Sequence, residues 1–296
     1  MMTFRRSVAS FAVSALVALG ASAGTARAVV VHSEDAAGPD ATLRPDEAVV
    51  GAFNGSSAVA IGPNHFVASV HQGGSVGSSI TFGGTTYTVA DLAVHPTADL
   101  VVGRVTASGG GPAELSAFTP IYSATDELTQ AVTIGGRGRG TNTALVGTFG
   151  RYGYAWDAPA ALRWGRNRID AAATAAQADP QDPWPSVVLL ADFDDRGALT
   201  SVDFEAAMAQ FDSGGGWFVQ SGGTWYVAGL ARGVERADES RFEDPTTGLP
   251  DPDIQSAVRL SSYAGFIAAN VPEPGAMFLL CGAATIGLSR RRHRRG

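Results

Sequence analysis

The chain has 296 residues, with 21 basic and 28 acidic side chains, 37 glycines and one cysteine, Cys281. One cysteine excludes a disulfide framework and a multi-cysteine zinc site, and the length is ample for a sizeable core without either. Eight of the basic residues lie in 1–28 and 276–296, which hold no acid, so 29–275 carries 13 basic and 28 acidic residues, a net −15 that repels nucleic acid and anionic membrane surfaces.

The first element is a leader. Arg5 and Arg6 precede an apolar run from Val8 to Ala23, and Ala26-Arg27-Ala28 offers a small-x-small cleavage site. This order predicts a secretory signal peptide over 1–28, whose removal leaves Val29 at the N-terminus. Residues 29–50 read as an irregular, acidic arm. From Ala58 onward the pattern is of short strands: 57–61, then 65–70 after the turn Gly62-Pro63-Asn64. A hairpin of 79–82 and 85–89 about Gly83-Gly84 follows, then 99–105, 131–134, 143–149, 186–190, 216–220 and 224–230. The stretch 170–185, rich in Ala, Asp and Pro, reads as an exposed loop. Residues 256–269 have helical spacing, with Val258, Tyr263, Phe266 and Ile267 apolar. Many short strands and one helix predict an all-β barrel or sandwich.

The densest chemical signal is Phe211-Asp212-Ser213-Gly214-Gly215-Gly216. A serine in such a turn exposes its hydroxyl and can gather backbone N–H groups around an oxyanion. A serine nucleophile needs a base and the base an orienting carboxylate. His71 ends the apolar stretch Phe66–Val70, and Asp99 opens the run Leu100-Val101-Val102. His65 and His95 read as turn or surface residues, and Asp91 lacks a buried strand directly after it. Asp192-Phe193-Asp194-Asp195 offers oxygens for calcium but lacks the glycine and glutamate of a full loop motif, so it reads as an acidic surface turn with no metal.

These segments resemble the trypsin-like (chymotrypsin-fold) serine peptidases. Residues 57–71 resemble the strand pair that leads to the family's T-A-A-H. Ala98–Val102 resembles its aspartate strand, and Phe211–Gly216 its G-D-S-G-G-P. Trp225–Leu230 resembles the strand that follows, and Ser256–Ile267 the closing helix. The resemblance spans most of 50–268. It implies a peptidase domain over 29–268, a double six-stranded antiparallel β-barrel with one C-terminal helix, no cofactor, and a peptide or protein substrate. It further implies His71 as base, Asp99 as its orienter, Ser213 as nucleophile, and the N–H groups of Phe211 and Ser213 as oxyanion hole. Ala207 and Arg232 fall at the specificity pocket, where alanine in place of the trypsins' aspartate argues against cleavage after Arg or Lys. Asp212 falls where the family pairs an aspartate with a freed N-terminus, here Val29, 42 residues before His71. Phe211 replaces a glycine, and Arg232 replaces a small serine and could pair with Asp99. The alternative reading is therefore an inactive trypsin-fold homologue serving as a surface or matrix interaction module.

The C-terminus resembles the PEP-CTERM sorting signal of Gram-negative bacteria: Val271-Pro272-Glu273-Pro274, an apolar segment 275–288 and an Arg-rich end 290–295, within a tail spanning 269–296. The resemblance implies a membrane-crossing helix before processing, with a signal peptidase and an exosortase-like enzyme as partners. The product would be exported to the cell envelope, surface or extracellular matrix.

Overall fold

The computed structural model describes residues 29–175 and 184–271. The expected leader and the tail beyond Val271 lie outside the described residues. Among the described residues no helix is long and apolar enough to cross a membrane.

A two-residue strand, β1 (Val30–Val31), comes first. Then β2 (Val50–Phe53), β3 (Ser56–Gly62), β4 (His65–Ala68), β5 (Ser79–Phe82), β6 (Thr85–Val94) and β7 (Val101–Ala107) close into an antiparallel barrel in the order β2-β3-β4-β7-β6-β5. Its hairpins follow from local chemistry. Asn54-Gly55 and Gly83-Gly84 both take positive φ at each position, the two-residue turn whose twist matches the flanking strands. Strand β3 is buried throughout because both of its faces are covered. Ala58 and Ala60 point into the barrel with Phe53, Phe66 and Phe82, while Val59 and Ile61 face the second half of the chain.

The second half contributes β8 (Ala131–Gly136), β9 (Thr143–Gly147), β10 (Gly150–Ala155), β11 (Arg163–Arg168), β12 (Ala171–Ala175), β13 (Ser186–Asp192), β14 (Ala206–Ala207), β15 (Gly216–Ser221), β16 (Thr224–Val234), β17 (Glu239–Arg241) and β18 (Ile254–Arg259). Seven of these form one antiparallel sheet, β11-β8-β15-β16-β18-β13-β12, which curls so that β11 also lies against β13. β9, β10 and β17 form a separate three-stranded sheet. The two halves share one core: Val59, Val67 and Val102 of the barrel meet Phe218, Val227, Leu230, Val258 and Ile267. The all-β class, the six-stranded barrel and the single C-terminal helix are as expected.

Three local expectations are corrected. Residues 29–32 are not a solvated arm: Val29, Val30, Val31 and His32 are buried, and β1 pairs with β14. Of the loop expected over 170–185, residues 171–175 are a strand paired with β13. The helix is shorter than its apolar spacing suggested. Residues 256–259 complete β18 between β16 and β13, a 3-10 turn spans Leu260–Tyr263, and the helix α1 is Ala264–Asn270. Two neighbouring strands outcompete helical propensity there, because they satisfy the backbone groups of β18 from both sides.

Candidate active site

The antiparallel register brings His71 and Asp99 together. Ala68 in β4 faces Val101 in β7. Continuing outward from that pair, the residues just past Ala68 run beside those just before Val101, which places His71 against Asp99. Asp99 is fully buried, and its carboxylate accepts twice from His71: from the backbone N–H at 2.9 Å and from Nδ1 at 2.6 Å. The Asp99 N–H donates to Ser186 Oγ at 2.9 Å, so β13 of the second half fixes the start of this segment. With Nδ1 donating to the carboxylate, Nε2 is left as the acceptor, and Ser213 Oγ lies 2.8 Å from it.

Ser213 comes from the second half, on the loop between β14 and β15. Ser57 N–H donates to the Ser213 carbonyl at 2.9 Å, tying the loop to β3 of the barrel. The approach is close: a Cβ on Gly214 would sit 2.3 Å from the Ser57 carbonyl oxygen, and Gly214 has φ +75°. Only glycine fits directly after the serine.

The segment before Ser213 is a turn closed by Asp212 N–H to the Ala209 carbonyl at 3.1 Å. Phe211, its third residue, has φ +75°, whereas Gln210 is not among the positive-φ residues, which makes this a type II turn. The Phe211 side chain is exposed and occupies a backbone region that glycine enters at no steric penalty. Neither the Phe211 N–H nor the Ser213 N–H has an acceptor among the described residues.

Asp212 turns the other way and is buried. Its Oδ1 accepts from Gly138 N–H at 2.7 Å, and Oδ2 accepts from Ala209 N–H at 2.8 Å and Val29 N–H at 3.3 Å. A Cβ at Gly138 would lie 2.8 Å from the Asp212 carboxyl carbon, so glycine lets that strand end reach the acid. Burial pushes the Asp212 carboxyl up to about 6, against the backbone N–H donors and Arg163, which favour its charged form.

An open cleft of about 420 Å³ runs past His71 and Ser213. Asn54–Ser56, Gln72, Met208–Asp212 and Arg232–Val234 line it with them. Arg232 thus lies on the cleft wall, while both Asp99 oxygens accept from His71. Ala207 does not line the cleft. It is buried in β14, opposite Val30 and among Tyr154, Trp156, Phe193 and Phe242, because pairing with β1 turns this segment into the core.

The residues set aside stay apart from this site. His65 is buried in β4, not in a turn. The His95 ring meets Tyr263 and Phe266 edge-on, each at 4.8 Å. Asp91 is exposed on β6, opposite Arg104. Asp192–Asp195 is not a plain surface turn. Phe193 and Asp194 are buried, and the Asp194 carbonyl is 2.9 Å from His32 Nε2. Among the described residues no cluster of His, Cys, Asp or Glu could hold a metal ion.

Sequence reasoning missed two glutamines. Gln72 Nε2 donates to the carbonyls of Phe53 and Ser57, and the Asn54 amide donates to the Gln72 carbonyl. Its position directly after His71 was the available signal. Gln255, on β18, accepts from Met208 N–H and donates to the Ala206 carbonyl, each at 2.8 Å, and nothing in the sequence pointed to it.

No protein-family model matches the chain, and no curated protein matches it. A crystal structure of the Rv3671c protease in an inactive form aligns with a TM-score of 0.47 and 16% identity, covering 80% of this chain and 98% of that one. Similarity at that level transfers neither activity nor residue roles.

Proposed function

We propose that the chain is a serine endopeptidase working through an acyl-enzyme on Ser213. The observation that carries this reading is His71, held by Asp99 at 2.6 Å and facing Ser213 Oγ at 2.8 Å across the junction of the two halves. His71 takes the Ser213 proton as Oγ attacks the peptide carbonyl, and Asp99 stabilises the imidazolium. The N–H groups of Phe211 and Ser213 receive the oxyanion. His71 then protonates the leaving amine, and water attacks the ester by the reverse path. A fluorophosphonate should label Ser213 in the purified protein, and Ser213→Ala should abolish labelling. A folded protein that does not label would instead be the inactive surface module.

The same reading makes maturation part of assembly. Cleavage after Ala28 would turn the Val29 N–H into an ammonium beside Asp212, whose carboxyl burial otherwise holds up at about 6. A buried charge pair of this kind is favourable only when both members are hydrogen-bonded, and Asp212 has two further N–H donors.

The terminal segments support export by a signal peptidase and sorting by an exosortase-like enzyme to the cell envelope, surface or matrix. Mass spectrometry of cell fractions should find a form lacking 1–28 and shortened near Val271–Pro274 outside the cytoplasm. Intact chain confined to the cytoplasm would overturn this part.

A further inference from the structure

The N-terminal arm is tied to the candidate active site at Val29 and to the core at His32. Val29 N–H reaches Asp212, the residue before Ser213, at 3.3 Å, and β1 then pairs with β14 through Val30–Ala207 and Val31–Ala206. His32 follows and is fully buried. Its ring stacks on Phe193 at 5.1 Å and meets Phe242 at 5.2 Å and Tyr154 at 5.7 Å.

Both ring nitrogens are committed to the neutral form. Nε2 lies 2.9 Å from the Asp194 carbonyl oxygen, which only accepts, so Nε2 carries the proton. Nδ1 is then the acceptor, 3.2 Å from the Tyr154 hydroxyl, whose oxygen accepts from Ser33 N–H at 3.1 Å. A second ring proton would meet the hydroxyl proton and place a charge among aromatic rings. Burial holds the imidazole below its ordinary 6.5, with Arg151 of β10 acting in the same direction. The Asp194 carbonyl, Asp195 beyond β13 and Glu34 of the arm itself favour the charged ring without overcoming burial. The other groups around it are engaged or neutral. Glu34 pairs with Arg151 at 2.8 Å and Asp35 with Arg196 at 3.2 Å. Arg241, beside Phe242, pairs with Glu239, and burial keeps Glu205, ahead of β14, protonated up to about 9. Burial likewise raises the Tyr154 hydroxyl above its ordinary 10. A docked arm thus binds the His32 proton less readily than a released one, so docking is at full strength above 6.5 and weakens as pH falls below it.

Little else need move. Asn167 and Gln255 both donate to the Ala206 carbonyl, and Gln255 accepts from Met208 N–H, so β14 keeps partners without β1. Farther along the arm, Thr133 holds the Leu43 carbonyl at 2.8 Å. Release of β1 therefore takes Val29 from Asp212 while the second half stays folded.

We propose that His32 is an acid-sensitive latch on the N-terminal arm: its protonation undocks β1, withdraws Val29 from Asp212 and lowers the reactivity of Ser213. The site is competent at neutral pH and disarmed in acid. The effect on Ser213 rests on the serine-peptidase reading above, and the undocking does not.

Hydrogen–deuterium exchange of the purified protein, read on the peptide containing Val30–Ser33 and corrected for the intrinsic pH dependence of exchange, measures the undocking. Lowering the pH from 7.5 to 5.5 should raise the opening constant of the arm roughly tenfold, while the amides of β15 and β16 stay protected. The rise should vanish in His32→Gln, whose amide can still donate to the Asp194 carbonyl and takes no proton. His32→Phe, which suits the aromatic surroundings, should behave alike and serves where the glutamine variant does not fold. Asp212 also changes charge in this range, near 6. A rise that persists in both variants assigns the release to Asp212 and overturns the latch, as does equal arm exchange at the two pH values in the wild-type protein. Fluorophosphonate labelling reads the site. His71 titrates in wild type and variant alike, so the variant-to-wild-type ratio of labelling rates should be roughly threefold or more higher at pH 5.5 than at pH 7.5. A constant ratio despite arm release overturns the link to Ser213. Arm release with no labelling of either protein overturns the peptidase reading and leaves the latch in place.

Discussion

Gln72 donates from Nε2 to the carbonyl oxygen of Ser57 at 2.9 Å, so the residue after His71 is tied to the residue whose own N–H holds the Ser213 carbonyl. His71 and Ser213 belong to different halves of the molecule, and the Ser57 N–H carries the tie across their junction. Gln72 also bonds the Phe53 carbonyl and receives the Asn54 amide, so three links fix the His71 loop without a disulfide. Gln72→Ala should lower the fluorophosphonate labelling rate of Ser213 about tenfold, since loss of alignment at the nucleophile–base pair slows attack steeply. It should lower stability by about 1–2 kcal/mol, since two carbonyls lose their donor. Labelling at the wild-type rate in a destabilised variant would show that Gln72 holds structure and not alignment.

Asp99 accepts from His71 at both carboxylate oxygens, from the backbone N–H and from Nδ1. In Asp99→Asn one oxygen becomes an NH₂. If the carbonyl oxygen keeps the backbone N–H, the new amide donates to Nδ1 and forces the imidazole proton onto Nε2. That nitrogen can then no longer accept from Ser213. Labelling should fall by roughly 10³–10⁴-fold while the circular dichroism spectrum is retained. A loss of less than tenfold would mean that Ser213 is activated by some other group.

Asp212 and Val29 make a pH test of maturation. In the chain extended at its N-terminus, burial raises the Asp212 carboxyl to about 6 from an unfolded value of 3.8. The folded state then binds the proton more tightly, so stability is lost as pH rises from about 4 through 6. An ammonium at Val29 favours the carboxylate and removes that loss. Protein beginning at Val29 should therefore gain on the extended protein as pH rises from 4 to 7, by roughly 1–3 kcal/mol in chemical denaturation. A gap that is constant across this range would show that the two groups do not pair.

The barrel and the candidate triad were legible because they rest on local signals. Continuous apolar runs at 58–61 and 66–68 mark β3 and β4 as strands covered on both faces, two-residue turns such as Gly83-Gly84 set hairpin register, and a close-packed serine turn demands glycine at 214. The arm was not legible. Val29-Val30-Val31 is too short to show a period, and its partners, β14 and Asp212, lie far along the chain. The helix was over-read for the same reason, since what makes 256–259 a strand is the pair of neighbours supplied by β16 and β13. Gln255 was invisible because a polar residue on a strand reads as solvent-facing unless its distant partners, Ala206 and Met208, are known.

Glu205 is the least comfortable acid in the described part of the molecule. It is almost fully buried, Oε2 accepts from Val202 N–H at 2.9 Å, and Oε1 has no hydrogen-bond partner. Burial raises its carboxyl from 4.5 to about 9, with Asp194 and Asp192 adding repulsion and the Val202 N–H opposing it. The folded state thus holds a proton that the unfolded chain releases above about 4.5. This contribution to stability is fully present below 4.5 and is lost as pH rises toward 9. Glu205→Gln keeps an acceptor for Val202 and has no proton to lose, so it should stabilise the protein at pH 7.5 by roughly 4 kcal/mol. The gain should shrink to nothing near pH 4, where both side chains are neutral. Urea denaturation of both proteins at the two pH values measures it directly. A variant less stable at pH 7.5, or equally stabilised at pH 4, would mean that Glu205 is charged in the fold and held by a cation.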